Sequence, residues 1–287
     1  MPRPMTPRTP ELYQTTPDDG VITTPPAAVP ADLVVGVFAA AVATYLALML
    51  LTRQVLVAMP VGLVAVPVVL LRWLHAPAPA PWGQLAPALA LRRPPARLVL
   101  AALVLGATFW LANLRLVGPL IDALGGRDAG SELVVLWSPR PWWLLAVEVV
   151  VVPALAEELV CRGLLAHGLV ARLGRAGAVG VSALLFALLH LALARGLATV
   201  GLGLVLGLMV VVGRSVWPAV LLHAVNNAVA LAVGTGRWPA LAGWIDAHPD
   251  LALAASLGGI ALGGALLGSV SAPTTRPPRA SSATVCR

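Results

Sequence analysis

The sequence contains no lysine. Its 19 basic residues are all arginine, set against 12 acidic ones. Charged residues make up only 11% of the 287, where a soluble domain carries roughly 25%, so a soluble globular domain is excluded. Cysteine is almost as scarce. Cys161 and Cys286 lie far apart, one in an apolar run and one in a tail, which excludes a disulfide framework and a thiolate metal cluster. The net charge of +7 is carried by scattered arginines rather than a basic stripe, so no nucleic-acid partner is expected. A basic start followed by a cleavable apolar segment is missing, and no signal peptide is expected. An H-E-x-x-H zinc motif and a pair of intramembrane aspartates are also missing, and Ser182 and Ser215 stand several residues from the motifs below.

Apolar runs are what the chain has in abundance: 59% of it is hydrophobic. The pattern predicts an all-α polytopic membrane protein, a bundle of about eight transmembrane helices at roughly 20 apolar residues each, with a polar intramembrane cavity. The spans are expected near 33–51, 55–71, 98–118, 141–170, 178–194, 197–212, 216–233 and 251–270. Arg195-Gly196 reads as a tight turn between the fifth and sixth. Residues 1–31 and 272–287 are rich in Pro, Thr and Ser and read as disordered tails flanking a transmembrane domain over 32–271. Trp73, Trp82, Trp137, Trp142 and Trp143 fit an interfacial belt, and His75 and His248 fall in loops. The all-arginine usage, with much Ala and Gly, is expected of a GC-rich bacterial genome.

Eight spans put both termini on one side. That side holds twelve arginines: two in the N-terminal tail, seven in the connections at Arg72–Arg97, Arg172–Arg175 and Arg214, and three in the C-terminal tail. The other side holds five, namely Arg53, Arg127, Arg140, Arg195 and Arg237. The positive-inside rule predicts a multi-pass cell-membrane protein with both termini cytoplasmic.

Within the fourth span, Ala156-Glu157-Glu158-Leu159-Val160-Cys161-Arg162 places two carboxylates and a guanidinium in hydrocarbon. An intramembrane charge costs on the order of several kcal/mol, so each needs a partner or a use. On a helix, Glu158 and Arg162 share a face at i, i+4 and form a supporting ion pair. Glu157 is rotated about 100° away and needs partners from elsewhere. His190, closing Phe186-x-x-x-His190, and His223 with Asn227 at i, i+4 are the intramembrane candidates. At 1.5 Å per residue, Glu157 and His190 lie roughly 22 Å, His223 about 14 Å and Asn227 about 20 Å from the arginines at the cytoplasmic ends of their spans. Four polar groups on three spans thus fall at comparable depth. Phe186 and Cys161 read as packing residues.

This constellation suits hydrolysis by an activated water. Glu157 would take the proton, His190 would orient the water, and His223 and Asn227 would donate to the oxyanion. Alternatively Glu157, His190 and His223 would hold a divalent metal such as zinc. The residues leave metal-dependent and metal-independent chemistry open. An alternative from another class is an ion- or proton-coupled transporter using the Glu/His cluster as a relay. No internal repeat supports it, and the polar residues cluster at one level instead of marking a path.

Glu157-Glu158-x-x-x-Arg162, Phe186-x-x-x-His190 and His223-x-x-x-Asn227 resemble the three motifs of the CPBP family, the CAAX proteases and bacteriocin-processing enzymes also called Abi. Gly213-Arg214-Ser215-Val216-Trp217-Pro218 and Leu91-Arg92-Arg93-Pro94 are similar to that family's lead-in segments. The resemblance covers about residues 91–233. It implies an intramembrane endopeptidase related to the type II CAAX prenyl protease, an eight-helix bundle, and a cavity open to cytosol and lipid. It further implies Glu157 as general base, His190 sharing the water, His223 and Asn227 at the oxyanion, and Glu158 and Arg162 in support. The implied partners are the lipid bilayer and a peptide, bacteriocin precursor or membrane-anchored protein substrate.

Overall fold

A computed structural model describes residues 29–74, 85–124, 140–191 and 193–269. The C-terminal tail, all but the last residues of the N-terminal tail, and His75, Trp82, Arg127, Trp137 and Cys286 lie outside the described residues. The described chain is helical throughout: α1 Ala31–Thr52, α2 Val55–Leu74, α3 Leu85–Ala88, α4 Ala96–Ala123, α5 over 142–173, α6 over 175–188, α7 Leu193–Gly213, α8 Trp217–Gly234, α9 Pro239–Ala247 and α10 Pro249–Gly268. Six of them, α1, α2, α4, α7, α8 and α10, are long and apolar enough to cross a membrane. The protein is an all-α, polytopic membrane protein.

Local chemistry explains where these helices begin, bend and stop. Pro30, Pro95 and Pro141 precede α1, α4 and α5, and proline sits in the first turn of α8, α9 and α10, where its missing N–H is no loss. In α5 the stretches Ala146–Val151 and Leu159–Ala166 are wound with i→i+5 bonds. The first of these leads into Pro153, whose ring an unmodified helix would not accommodate. The second follows the Glu157-Glu158 pair, and such widened turns concentrate at functional sites. Gly174 then breaks the chain at φ 68°, a left-handed conformation that suits glycine, and separates α5 from α6.

Two parts of the expected layout are corrected. Helix α6 ends at Leu188 rather than near Ala194, and the turn occupies 189–191, where Leu191 takes φ 54°. Arg195-Gly196 is consequently in the first turns of α7 and not a tight turn. Apart from His190, Leu189–Ala194 offers no Gly, Pro or polar signal, so apolar continuity reads through the turn. The connection after α8 contains the nine-residue helix α9, which the sequence reading left as loop.

Two apolar clusters make up most of the interior. One gathers Val34, Phe38, Leu63, Leu71, Val160, Leu164 and Phe186 from α1, α2, α5 and α6. The other gathers Leu98, Leu105, Leu206, Met209 and Leu222 from α4, α7 and α8, with Leu267 of α10. Close approach between helices requires glycine at Gly106 of α4, where an added Cβ would stand 2.7 Å from the Leu222 carbonyl of α8. The polar residues of α5, α6 and α8 lie along the seam between these clusters.

Candidate active site

Glu158 and Arg162 are both fully buried. Arg162 Nη1 donates to Glu158 Oε1 at 2.9 Å, so the expected i, i+4 pair forms even though the backbone there is wound with i→i+5 bonds. Arg162 Nη2 also reaches the Gly203 carbonyl of α7 at 3.4 Å. The guanidinium carbon lies 4.0 Å from the centre of the Phe186 ring, a cation–π contact that a dry interior strengthens. On its other sides Phe186 meets His190 and His223 edge-on, with ring centres 5.0 and 6.0 Å apart. Phe186 is therefore more than packing: one ring sets the orientation of three polar side chains.

His223 is the residue whose partner differs from expectation. Its Nδ1 lies 2.8 Å from Glu158 Oε1, not against Glu157. A single carboxylate oxygen thus holds both Arg162 and His223, and Glu158 belongs to the polar cluster as well as to the fold. Glu158 Oε2 and Arg162 Nε are buried without a hydrogen-bond partner among the described residues. Motif spacing gave no means of seeing that the imidazole would choose the neighbouring carboxylate.

His190 lies in the turn after α6, half-buried, with Nδ1 3.0 Å from the Phe186 carbonyl. Nδ1–H donates to that oxygen, which leaves Nε2 as the free ring atom. Glu157 is half-buried and stands in the electrostatic reach of His223, His190, Glu158 and Arg162. Among the described residues it has no hydrogen-bond partner.

Asn227 Nδ2 donates to the Val149 carbonyl of α5 at 3.0 Å, and Asn226 Nδ2 donates to Asn227 Oδ1 at 3.2 Å. That chain of amides has a direction. It ends at Asn226 Oδ1, which is buried and has no partner among the described residues. Asn226 is the residue that the sequence reading missed. Its only signal was adjacency to Asn227, and i, i+4 counting from His223 passes over it.

All of Glu157, Phe186, His190, His223, Asn226 and Asn227 line one cavity of about 1010 Å³. Glu158 and Arg162 stand behind its wall. α1 contributes Tyr45 and Met49, α2 Met59 and Leu63, and α4 Phe109 and Asn113. At the outer end of the cavity are Arg195 and the ion pair of Arg140 with Glu148. Among the described residues no three His, Cys, Asp or Glu side chains form a group able to hold a metal ion. Glu157, His190 and His223 are thus not assembled as the ligand set that the sequence leaves open, and no step below is routed through a metal.

Residues 139–229 match the family model of the Rce1-like type II CAAX prenyl endopeptidases. This segment is a CAAX-protease family domain. No curated protein and no solved structure matches the chain. The CAAX-protease domain comprises α5, α6, α7 and most of α8, and it contains every residue of the polar cluster. Helices α1, α2 and α4, outside the matched segment, complete the cavity wall around it. The domain type is that of an intramembrane protease.

Proposed function

We propose that the chain is an intramembrane endopeptidase in which Glu157 activates a water molecule against a peptide carbonyl. The observation that carries this reading is the convergence of Glu157, His190, His223 and Asn227, from α5, the turn after α6, and α8, on one cavity. Among the described residues Glu157 is the cavity carboxylate without a hydrogen-bond partner, and it takes a proton from the water. His190 Nε2, free because Nδ1 is held by the Phe186 carbonyl, accepts the water's other hydrogen and fixes its position. The hydroxide oxygen bonds to the carbonyl carbon. The developing oxyanion receives hydrogen bonds from protonated His223 at Nε2 and from the second Nδ2 hydrogen of Asn227. The C–N bond then breaks as Glu157 returns the proton to the leaving amine.

Glu158 Oε1 holds the His223 imidazole in place through Nδ1. The cavity is lined by the segments at one end of the bundle, which does not make the through-path that the transporter alternative requires.

The purified protein in liposomes should cleave members of a pool of membrane-anchored peptides, read as new termini by mass spectrometry. Glu157→Ala, His190→Ala and His223→Ala should each lower cleavage by about 10²–10⁴-fold, the usual contribution of acid–base catalysis. Equal cleavage by all three variants would sink the mechanism.

A further inference from the structure

The matched domain does not build the cavity alone. Helix α1 lies outside residues 139–229, and it contributes Tyr45 to the cavity that Glu157 lines. The chain has two tyrosines, and the other, Tyr13, lies outside the described residues. A phenol in an apolar surround ordinarily finds a hydrogen-bond partner, because an unsatisfied hydroxyl there is costly. Tyr45 is half-buried, and among the described residues its hydroxyl makes no hydrogen bond. Neighbouring cavity donors are directed into protein. Trp110 Nε1 donates to the Ala107 carbonyl at 3.1 Å, Asn113 Nδ2 to the Ala198 carbonyl at 2.7 Å, and the Thr199 hydroxyl to the Gly196 carbonyl at 3.0 Å.

Packing fixes where the phenol stands. Tyr45 lies against the apolar cluster of α1, α2, α5 and α6. Gly62 of α2 abuts its backbone: a Cβ there would stand 2.6 Å from Tyr45 Cα and 2.7 Å from Tyr45 Cβ. Glu157 is within electrostatic reach of the phenol, with no hydrogen bond between them. On the other side of the seam, α8 packs into the second cluster through Leu222 and lines the cavity with Asn226 and Asn227. The two sides differ in kind. Helix α8 carries an acceptor, Asn226 Oδ1, buried and without a partner among the described residues. Helix α1 carries a donor.

We propose that Tyr45 is a substrate-binding residue supplied from outside the matched domain, its hydroxyl donating a hydrogen bond to a backbone carbonyl of a peptide lying over Glu157. A peptide in an apolar cavity brings N–H and C=O groups that each need a partner. Tyr45 meets a C=O and Asn226 an N–H, from the two sides of the seam. A neutral phenol donates throughout the physiological pH range, so this contact needs no change of charge. The peptide as occupant rests on the protease reading.

Binding and cleavage are read separately to test this. Full-length Glu157→Gln protein, immobilised in nanodiscs, is offered a pool of synthetic single-span peptides, and the retained peptides are titrated by mass spectrometry. Adding Tyr45→Phe, which removes only the hydroxyl, should raise their Kd about tenfold, the scale of one lost hydrogen bond. Thr199→Val removes a cavity hydroxyl already committed to the Gly196 carbonyl and should leave Kd unchanged. With Glu157 intact, Tyr45→Phe should raise KM by the same factor and leave kcat unchanged. An unaltered Kd or KM in Tyr45→Phe, an equal loss in Thr199→Val, or no retention of any peptide would overturn the proposal. Retention that depends on Tyr45, with no cleavage by the wild-type chain, would overturn the protease reading and leave Tyr45 a peptide-binding residue.

Discussion

One oxygen of Glu158 accepts from both Arg162 and His223, and removing either partner changes what the other must do. Arg162→Met leaves a buried carboxylate with less compensation, and the expected loss is about 3–5 kcal/mol of stability, as for other broken buried pairs. Thermal unfolding in detergent checks this. The double variant Glu158→Leu with Arg162→Met should recover much of the loss, because no unpaired charge remains, while staying inactive through the loss of the His223 anchor. Asn226 makes a different prediction. Its Oδ1 is buried without a partner among the described residues, on a side chain that lines the cavity, and the proposed role for it is to accept from a substrate N–H. Asn226→Leu should therefore raise KM about tenfold, near the 1.4 kcal/mol of one lost hydrogen bond, with little change in kcat. An unaltered KM would confine Asn226 to holding Asn227. Chelation should leave cleavage unchanged, since no three-residue ligand group is assembled among the described residues; loss of cleavage restored by added zinc would contradict that.

At the scale of the helices, close contact matters more than polarity. An alanine at Gly106 would place its Cβ 2.7 Å from the Leu222 carbonyl and 2.8 Å from Val225 Cβ, so α8 must shift, and α8 carries His223. Gly106→Ala should lower stability by about 1–3 kcal/mol, the usual penalty of overpacking, and lower cleavage with it. Gly264→Ala, on α10 and facing open space, is the matched control and should change neither. Most helices were legible in the sequence because apolar runs of membrane length have few alternative structures. The Glu158–Arg162 pair and the shared depth of Glu157, His190, His223 and Asn227 were legible from helical spacing for the same reason. The end of α6 was not, because a turn built on Leu191 at positive φ leaves no compositional mark. The His223–Glu158 bond was not legible either. It depends on how α5 and α8 are rotated against each other, and the i→i+5 turns beside the motif alter that rotation in a way no regular repeat predicts.

Across the whole molecule, the site sits on a seam between two apolar half-bundles, neither of which could hold the charged cluster alone. Phe186 ties the cluster to the α1–α2–α5 half, and the Gly203 carbonyl ties Arg162 to α7 in the other. The fold separates two adjacent glutamates by about 100° of helix rotation: Glu157 faces the cavity, and Glu158 lies behind its wall. That division is the central claim, and the isosteric pair Glu157→Gln and Glu158→Gln measures it. Glu157→Gln should unfold at the wild-type temperature yet cleave membrane-anchored peptide about 10²–10⁴-fold more slowly, whereas Glu158→Gln should unfold at a clearly lower temperature. Wild-type cleavage by a folded Glu157→Gln protein would contradict the account.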